Sequence, residues 1–179
     1  YKIFQSVLVK HLHNLFQAVW DAKLLPTSSC EAIIVKLPKK RGDSLDRSCY
    51  RPLSILNLDC RILGKITANR MLPYLPAVIQ PDKNGLIQGS STAANLRLLF
   101  HVLDRLPPLA FWAATVSIDM EKAFDSLSWD YLFTILQCTG LGKGLMSWIR
   151  ILYTDSTVRV RIGQDFSHVW PIHRGTKHG

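Results

Sequence analysis

The residues whose types and spacing best suit chemistry lie in Ser117 to Asp125, which reads SIDMEKAFD. The apolar run leading into it, Trp112 to Asp119 (WAATVSID), reads as a buried strand that ends in a carboxylate, and three more charges follow within six residues. Strand ends commonly present catalytic groups, because a rigid sheet aims the side chain while the following loop gives access. A carboxylate so placed can hold Mg²⁺, which binds through one or two carboxylates together with substrate phosphates and retained waters. The plainer alternative, a helix cap or a solvated turn, stays open at this point. On a strand, Asp119 and Glu121 would share a face; in a helix they diverge.

Basic residues form the second group. Lys36 to Ser48 carries Lys36, Lys39, Lys40, Arg41 and Arg47 around Gly42 and Asp43 and reads as an exposed basic loop, and the basic tract extends to Arg51. It can neutralise a triphosphate or a nucleic-acid backbone, with Arg51 able to make a bidentate contact that Lys cannot. A solvated charged loop is the alternative, and it suits Lys40 and Arg41 better than Arg51, which stands between Tyr50 and Pro52 at the start of an apolar run. Arg159 and Arg161 alternate with Val158, Val160 and Ile162, so they share one strand face and either track phosphates or form an ordinary polar face. His11 and His13 are two apart and diverge on a helix, which marks them as surface residues rather than ligands. Near the C-terminus GTKHG (Gly175 to Gly179) places polar and basic groups between glycines, where the backbone can approach a ligand closely.

The elements that must position these groups follow from hydrophobic period. Leu12, Leu15, Phe16 and Val19 give a helix one apolar stripe, ended by Pro26 and Thr27-Ser28-Ser29. Glu31 to Leu37 is short, apolar and β-branched, as a strand is. Leu58, Ile62, Leu63 and Ile66 predict a helix from Asn57 to about Leu75, with Arg61 and Lys65 on its more polar face. Leu96, Leu99, Phe100 and Leu103 predict another, closed by Pro107-Pro108. Tyr131 to Leu136 and Leu145 to Leu152 supply two more, the first stopped at Thr139-Gly140. Thr157 to Gly163 alternates as a half-solvated strand, and Gly163-Gln164-Asp165 turns it into a partner from Phe166 to Ile172. The order of elements is mixed α+β.

Composition bounds the partners. The chain has 179 residues, 22 Lys+Arg against 13 Asp+Glu, and a formal net charge of +9, which points to an anionic partner. Its 47% hydrophobic and 20% charged content is ordinary for a globular protein and argues against disorder, collagen or coiled coil. Cys30, Cys49, Cys60 and Cys138 are too few and scattered for a disulfide framework and offer no CxxC zinc half-site, which fits a reducing intracellular setting. The longest charge-free apolar run, Leu106 to Ile118, contains two prolines and is too short to span a bilayer. The chain opens on Tyr1 and shows no signal peptide, which reads as a piece of something longer.

Six segments together, in order, resemble the reverse transcriptase of non-LTR retrotransposons of the long interspersed element type: AIIVKLPK from Ala32, YRPLSIL from Tyr50, ITANRM from Ile66, QPDKNGLIQG from Gln80, SIDMEKAFD from Ser117 and GTKHG from Gly175. The resemblance covers essentially the whole chain. It implies a right-hand polymerase, with fingers mainly in residues 1–111 and the start of the palm in residues 112–179. It implies that Asp119 is one of the carboxylates binding two Mg²⁺ ions in the complete enzyme (or Mn²⁺ in their place), assisted by the backbone carbonyl of Met120. Lys39 and Arg51 would hold the incoming triphosphate. Phe124 would exclude a 2′-hydroxyl, and His178 would stand where the family has Gln in GTRQG. Lys36, Lys40, Arg41, Arg159 and Arg161 would contact nucleic acid.

The implied partners are an RNA template, a DNA primer and deoxynucleoside triphosphates, no membrane being expected from the short apolar runs, and the location expected for the parent ribonucleoprotein is intracellular, in cytoplasm and nucleus. One departure matters. The family's YxDD hairpin, which supplies the remaining carboxylates, and its thumb would lie beyond GTKHG, and no adjacent Asp-Asp pair occurs in the sequence. The expectation is therefore a catalytically inactive chain whose parent is by family an RNA-directed DNA polymerase. The competing reading is a non-catalytic RNA or RNA–DNA binding remnant of a decayed element.

Overall fold

The structure, a computed structural model, describes residues 2–39, 45–46, 49–80, 82–85, 91–106 and 114–176. In chain order the elements are α1 (Gln5–Ala22), α2 (Thr27–Cys30), β1 (Glu31–Pro38), β2 (Tyr50–Ile55), α3 (Leu58–Met71), α4 (Leu75–Val78), α5 (Thr92–Arg105), α6 (Trp129–Cys138), α7 (Lys143–Tyr153), β3 (Thr157–Ile162), β4 (Asp165–Phe166) and β5 (Trp170–Pro171). The chain divides into two compact units, residues 1–70 with 122–179, and residues 71–121.

The first unit is built on a mixed sheet ordered β2-β1-β3-β4, with β5 on the same side of β3 as β4. β1 pairs antiparallel with β2 and parallel with β3. Pro52 has no N–H to donate to a ladder, which is why YRPLSIL does not read as a strand from sequence; the fold admits it because β2 is the edge strand. The partner of β3 is interrupted. Phe166 opposes Arg161 and Trp170 opposes Val158, so four steps on one side face three on the other, and Ser167 bonds Val160 in the gap. That extra residue is a β-bulge, and it explains why the single strand expected over Phe166 to Ile172 is two short pieces.

Alternation assigns the sheet faces. Ala32 and Val158, paired in register, are buried. The opposite face carries Ile33, Val35, Leu37, Leu53 and Ile55 with Arg51, Arg159 and Arg161.

The core joins Val19 of α1, Leu25, Cys30, Cys60 and Leu63 of α3, and Ile151 of α7, with Trp20 and Trp148 packed against it at a centroid distance of 5.0 Å. The stripe expected on α1 is the one that faces inward. α7 buries more of its circumference than its stripe suggests, since Met146, Ile149 and Ile151 are all covered. Ser29 is wholly buried, and its hydroxyl donates to the Asp59 carboxylate at 2.5 Å, tying α2 to the first turn of α3. α3 ends at Met71 rather than near Leu75, because Pro73 opens a separate short 3₁₀ turn, Leu72–Tyr74.

The second unit contains α4 and α5. Helix α5 begins where Ser91 caps the N–H of Ala93, and none of its residues is buried.

Candidate nucleotide and metal site

The hairpin of β1 and β2 positions the first pair of cations. Pro38 opposes Tyr50, and the N–H of Lys39 bonds the carbonyl of Cys49 at 2.8 Å, so the ladder continues one residue past the strand end. Lys39 and Arg51 then fall on one face as diagonal neighbours, both exposed. Lys36 lies on the other face, its ammonium 5.5 Å from the ring centre of Tyr50. Two cations expected to bind phosphate are thus brought together, and a third basic residue lies on the opposite face.

Arg161 shares the face of Arg51 and is exposed, with its Nε donating to the carbonyl of Gly163 at 3.1 Å. Arg159 is engaged differently. Its Nη2 donates to Glu31 at 2.7 Å and its Nε lies 2.5 Å from the other carboxylate oxygen, although the Nε proton is not aimed at it. Glu31 therefore offsets much of the charge that Arg159 would otherwise offer a phosphate.

The next feature joins two segments far apart in sequence. Lys122, with φ of 49°, opens a turn in which the N–H groups of Asp125 and Ser126 both bond the Lys122 carbonyl. Against this turn lies the Gly175 loop: Gly175 N–H donates to the carbonyl of Leu127 at 2.7 Å, Thr176 N–H to that of Phe124 at 2.9 Å, and Arg174 bridges Ser128. Gly175 has φ of 88°, and a Cβ there would stand 3.0 Å from the Asp125 carbonyl oxygen, so only glycine fits without displacement. Phe124 is 53% exposed. Tyr153 packs its ring 5.3 Å from that of Trp129, and burial pushes its phenol above the ordinary value of 10.0.

Asp119 and Met120 belong to the second unit, and here the structure corrects the sequence reading. Residues 114–120 form no strand, and Val116 and Ile118 are 76% and 82% exposed rather than buried. A strand exists only by pairing, and among the described residues none pairs with this segment. Asp119 supplies a carboxylate and Met120 a carbonyl, hard oxygen donors of the kind Mg²⁺ takes. Among the described residues no three His, Cys, Asp or Glu side chains converge on one point. The donor set present thus fits part of a Mg²⁺ shell. Lys40, Arg41, Trp112 and His178 lie outside the described residues. Among the described residues no helix is long and apolar enough to cross a membrane.

The family model described as reverse transcriptase (RNA-dependent DNA polymerase) matches residues 37–179. The chain belongs to the reverse transcriptase family. Relatives include the transposon TX1 uncharacterized 149 kDa protein of Xenopus laevis, 27% identical over all 179 residues and 14% of the relative. Two Pol polyproteins from type-1 retrotransposable element R2 also match: that of Popillia japonica, 29% identical over 83% of the chain and 21% of the relative, and that of Nasonia vitripennis, 24% identical over 84% of the chain and 14% of the relative. The chain thus spans a fifth or less of the length of most of these relatives. These similarities agree with the non-LTR retrotransposon type read from the motifs.

Within this reverse transcriptase chain, sequence reasoning missed three participants. Glu31 as partner of Arg159 depends on the parallel register of β1 and β3, which no local pattern reports. The strand character of Tyr50–Ile55 was hidden by Pro52. Trp129 was passed over because one aromatic at a helix start carries no signal of its own; its Nε1 donates to the carbonyl of Gly175 at 2.8 Å.

Proposed function

We propose that this chain is the nucleotide-handling and template-handling portion of an RNA-directed DNA polymerase encoded by a non-LTR retrotransposon, combining fingers with the beginning of a palm. The observation that carries the reading is the junction in which the Gly175-Thr176 loop is hydrogen-bonded to the turn bearing Phe124. Two motif segments about fifty positions apart meet there, and together they form one wall beside an incoming sugar.

In this reading Lys39 and Arg51 clamp the triphosphate, placing fixed positive charge where negative charge accumulates on the phosphoryl group. Phe124 closes the space a 2′-hydroxyl would need, and His178 would contact the nucleotide. Asp119 and the Met120 carbonyl would hold Mg²⁺. When bound, a pair of such ions supplies charge stabilisation for the attacking 3′-oxygen and the pyrophosphate leaving group. Lys36, Lys40, Arg41 and Arg161 contact template and primer phosphates, and Arg159 does so to the extent that Glu31 releases it.

The chain alone does not extend a primer, since its sequence contains no Asp-Asp pair to complete the carboxylate set. The same fact favours the second reading for the isolated chain, an RNA or RNA–DNA binding module. The test is equilibrium binding of a deoxynucleoside triphosphate with Mg²⁺, alongside primer extension. Arg51→Ala is expected to weaken nucleotide binding roughly tenfold to a hundredfold, the usual worth of a charge-assisted contact. Unchanged affinity in both Arg51→Ala and Lys39→Ala would sink the assignment, and extension abolished by Asp119→Ala would overturn the claim of inactivity.

A further inference from the structure

We propose that Trp129 is a positioning residue for sugar selection, acting on Phe124 through the peptide that joins Gly175 to Thr176. The inference rests on the role given to Phe124 above and extends it to a residue that touches no substrate.

The geometry is that of one peptide plane held at both ends. Its carbonyl, on Gly175, accepts from the indole Nε1 of Trp129 at 2.8 Å, and its N–H, on Thr176, donates to the carbonyl of Phe124 at 2.9 Å. In a trans peptide these two groups point in opposite directions, so fixing one fixes the other. The Trp129 N–H thus sets the rotation of the plane, and the plane sets the backbone of Phe124. Phe124 is 53% exposed as a residue, and its ring is carried on that backbone.

Trp129 is suited to serve as the reference. Its ring meets Tyr153 edge-on at 5.3 Å, Tyr153 meets Phe133 edge-on at 5.9 Å, and the guanidinium of Arg150 lies 4.6 Å over the Phe133 ring. These contacts tie the indole to both α6 and α7. The indole hydrogen bond is thus the side-chain link from these helices to the sugar wall, beside the backbone ties of Gly175 to Leu127 and of Arg174 to Ser128.

The experiment uses the 179-residue chain in two forms: Trp129→Phe, and a chain with benzothienylalanine at position 129, which replaces the indole N–H by sulfur and keeps the shape. Two readouts are taken, hydrogen exchange at the Thr176 amide and the ratio of dATP to ATP affinity with Mg²⁺. Thr176 protection is expected to fall about tenfold in both forms, the size of one hydrogen bond, and the deoxy preference roughly threefold or more, with the thermal midpoint of the benzothienyl form near that of the parent. Should the benzothienyl chain keep full Thr176 protection, or keep its deoxy preference after protection is lost, the proposal is overturned. A parent chain with no deoxy preference refutes the reading of Phe124 instead, and the Thr176 exchange still decides whether Trp129 holds the loop.

Discussion

A methyl group added at Gly175 would stand 3.0 Å from the carbonyl oxygen of Asp125 and would force an alanine to adopt φ of 88°. Both effects act at the joint between the Phe124 turn and the Gly175 loop, so Gly175→Ala is expected to cost about 2 kcal/mol. Thermal unfolding measures the loss, and exchange at Thr176 locates it. Tyr153 makes a second prediction of this scale. Burial raises its phenol pKa above 10.0, so the native state keeps its proton where the unfolded chain has released it. The stabilising contribution is complete below pH 10 and is lost as pH rises through the folded-state pKa. Alkaline titration of stability should therefore fall more steeply for the parent than for Tyr153→Phe; parallel curves would refute it.

At the scale of elements, the Ser29–Asp59 contact between α2 and α3 can be probed singly. The Ser29 hydroxyl is fully buried and its acceptor is a carboxylate, so Ser29→Ala leaves Asp59 short of a donor and is expected to cost about 1 to 3 kcal/mol. A denaturant midpoint unchanged from the parent would contradict this. The same scale shows what the sequence made legible. Helices α1, α5, α6 and α7 and strands β1 and β3 were readable, because amphipathic period is written in neighbouring residues. The edge strand with Pro52, the bulge opposite Val160 and the unpaired segment 114–120 were not, because each is defined by what another strand does or fails to do.

At the scale of the whole molecule the +9 charge acquires a distribution. Lys39 and Arg51 share one face of the hairpin end, Arg161 lies further across that face, and Lys36 lies on the reverse. Exposed cations at several points predict RNA–DNA hybrid binding that weakens steeply with salt, with the slope reduced by about one on removal of a phosphate-contacting cation such as Arg161. Arg159→Ala should change the slope less, because Glu31 already engages that guanidinium. Electrophoretic mobility shifts over a salt series test both, and equal slope changes at the two positions would contradict the difference.

The sequence by itself determined the family, since six short segments in order need no coordinates to be compared, and it named Lys39, Arg51, Asp119 and Phe124 as the residues to examine. It also determined the periodic helices, whose apolar stripes arise from local spacing. Only the tertiary structure decided which of those residues share a face, that Arg159 is held by Glu31, and that Trp129 anchors the peptide behind Phe124. Register and hydrogen-bond partnership relate residues as far apart as Glu31 and Arg159, and a linear pattern carries no information about such a pair until the chain has folded.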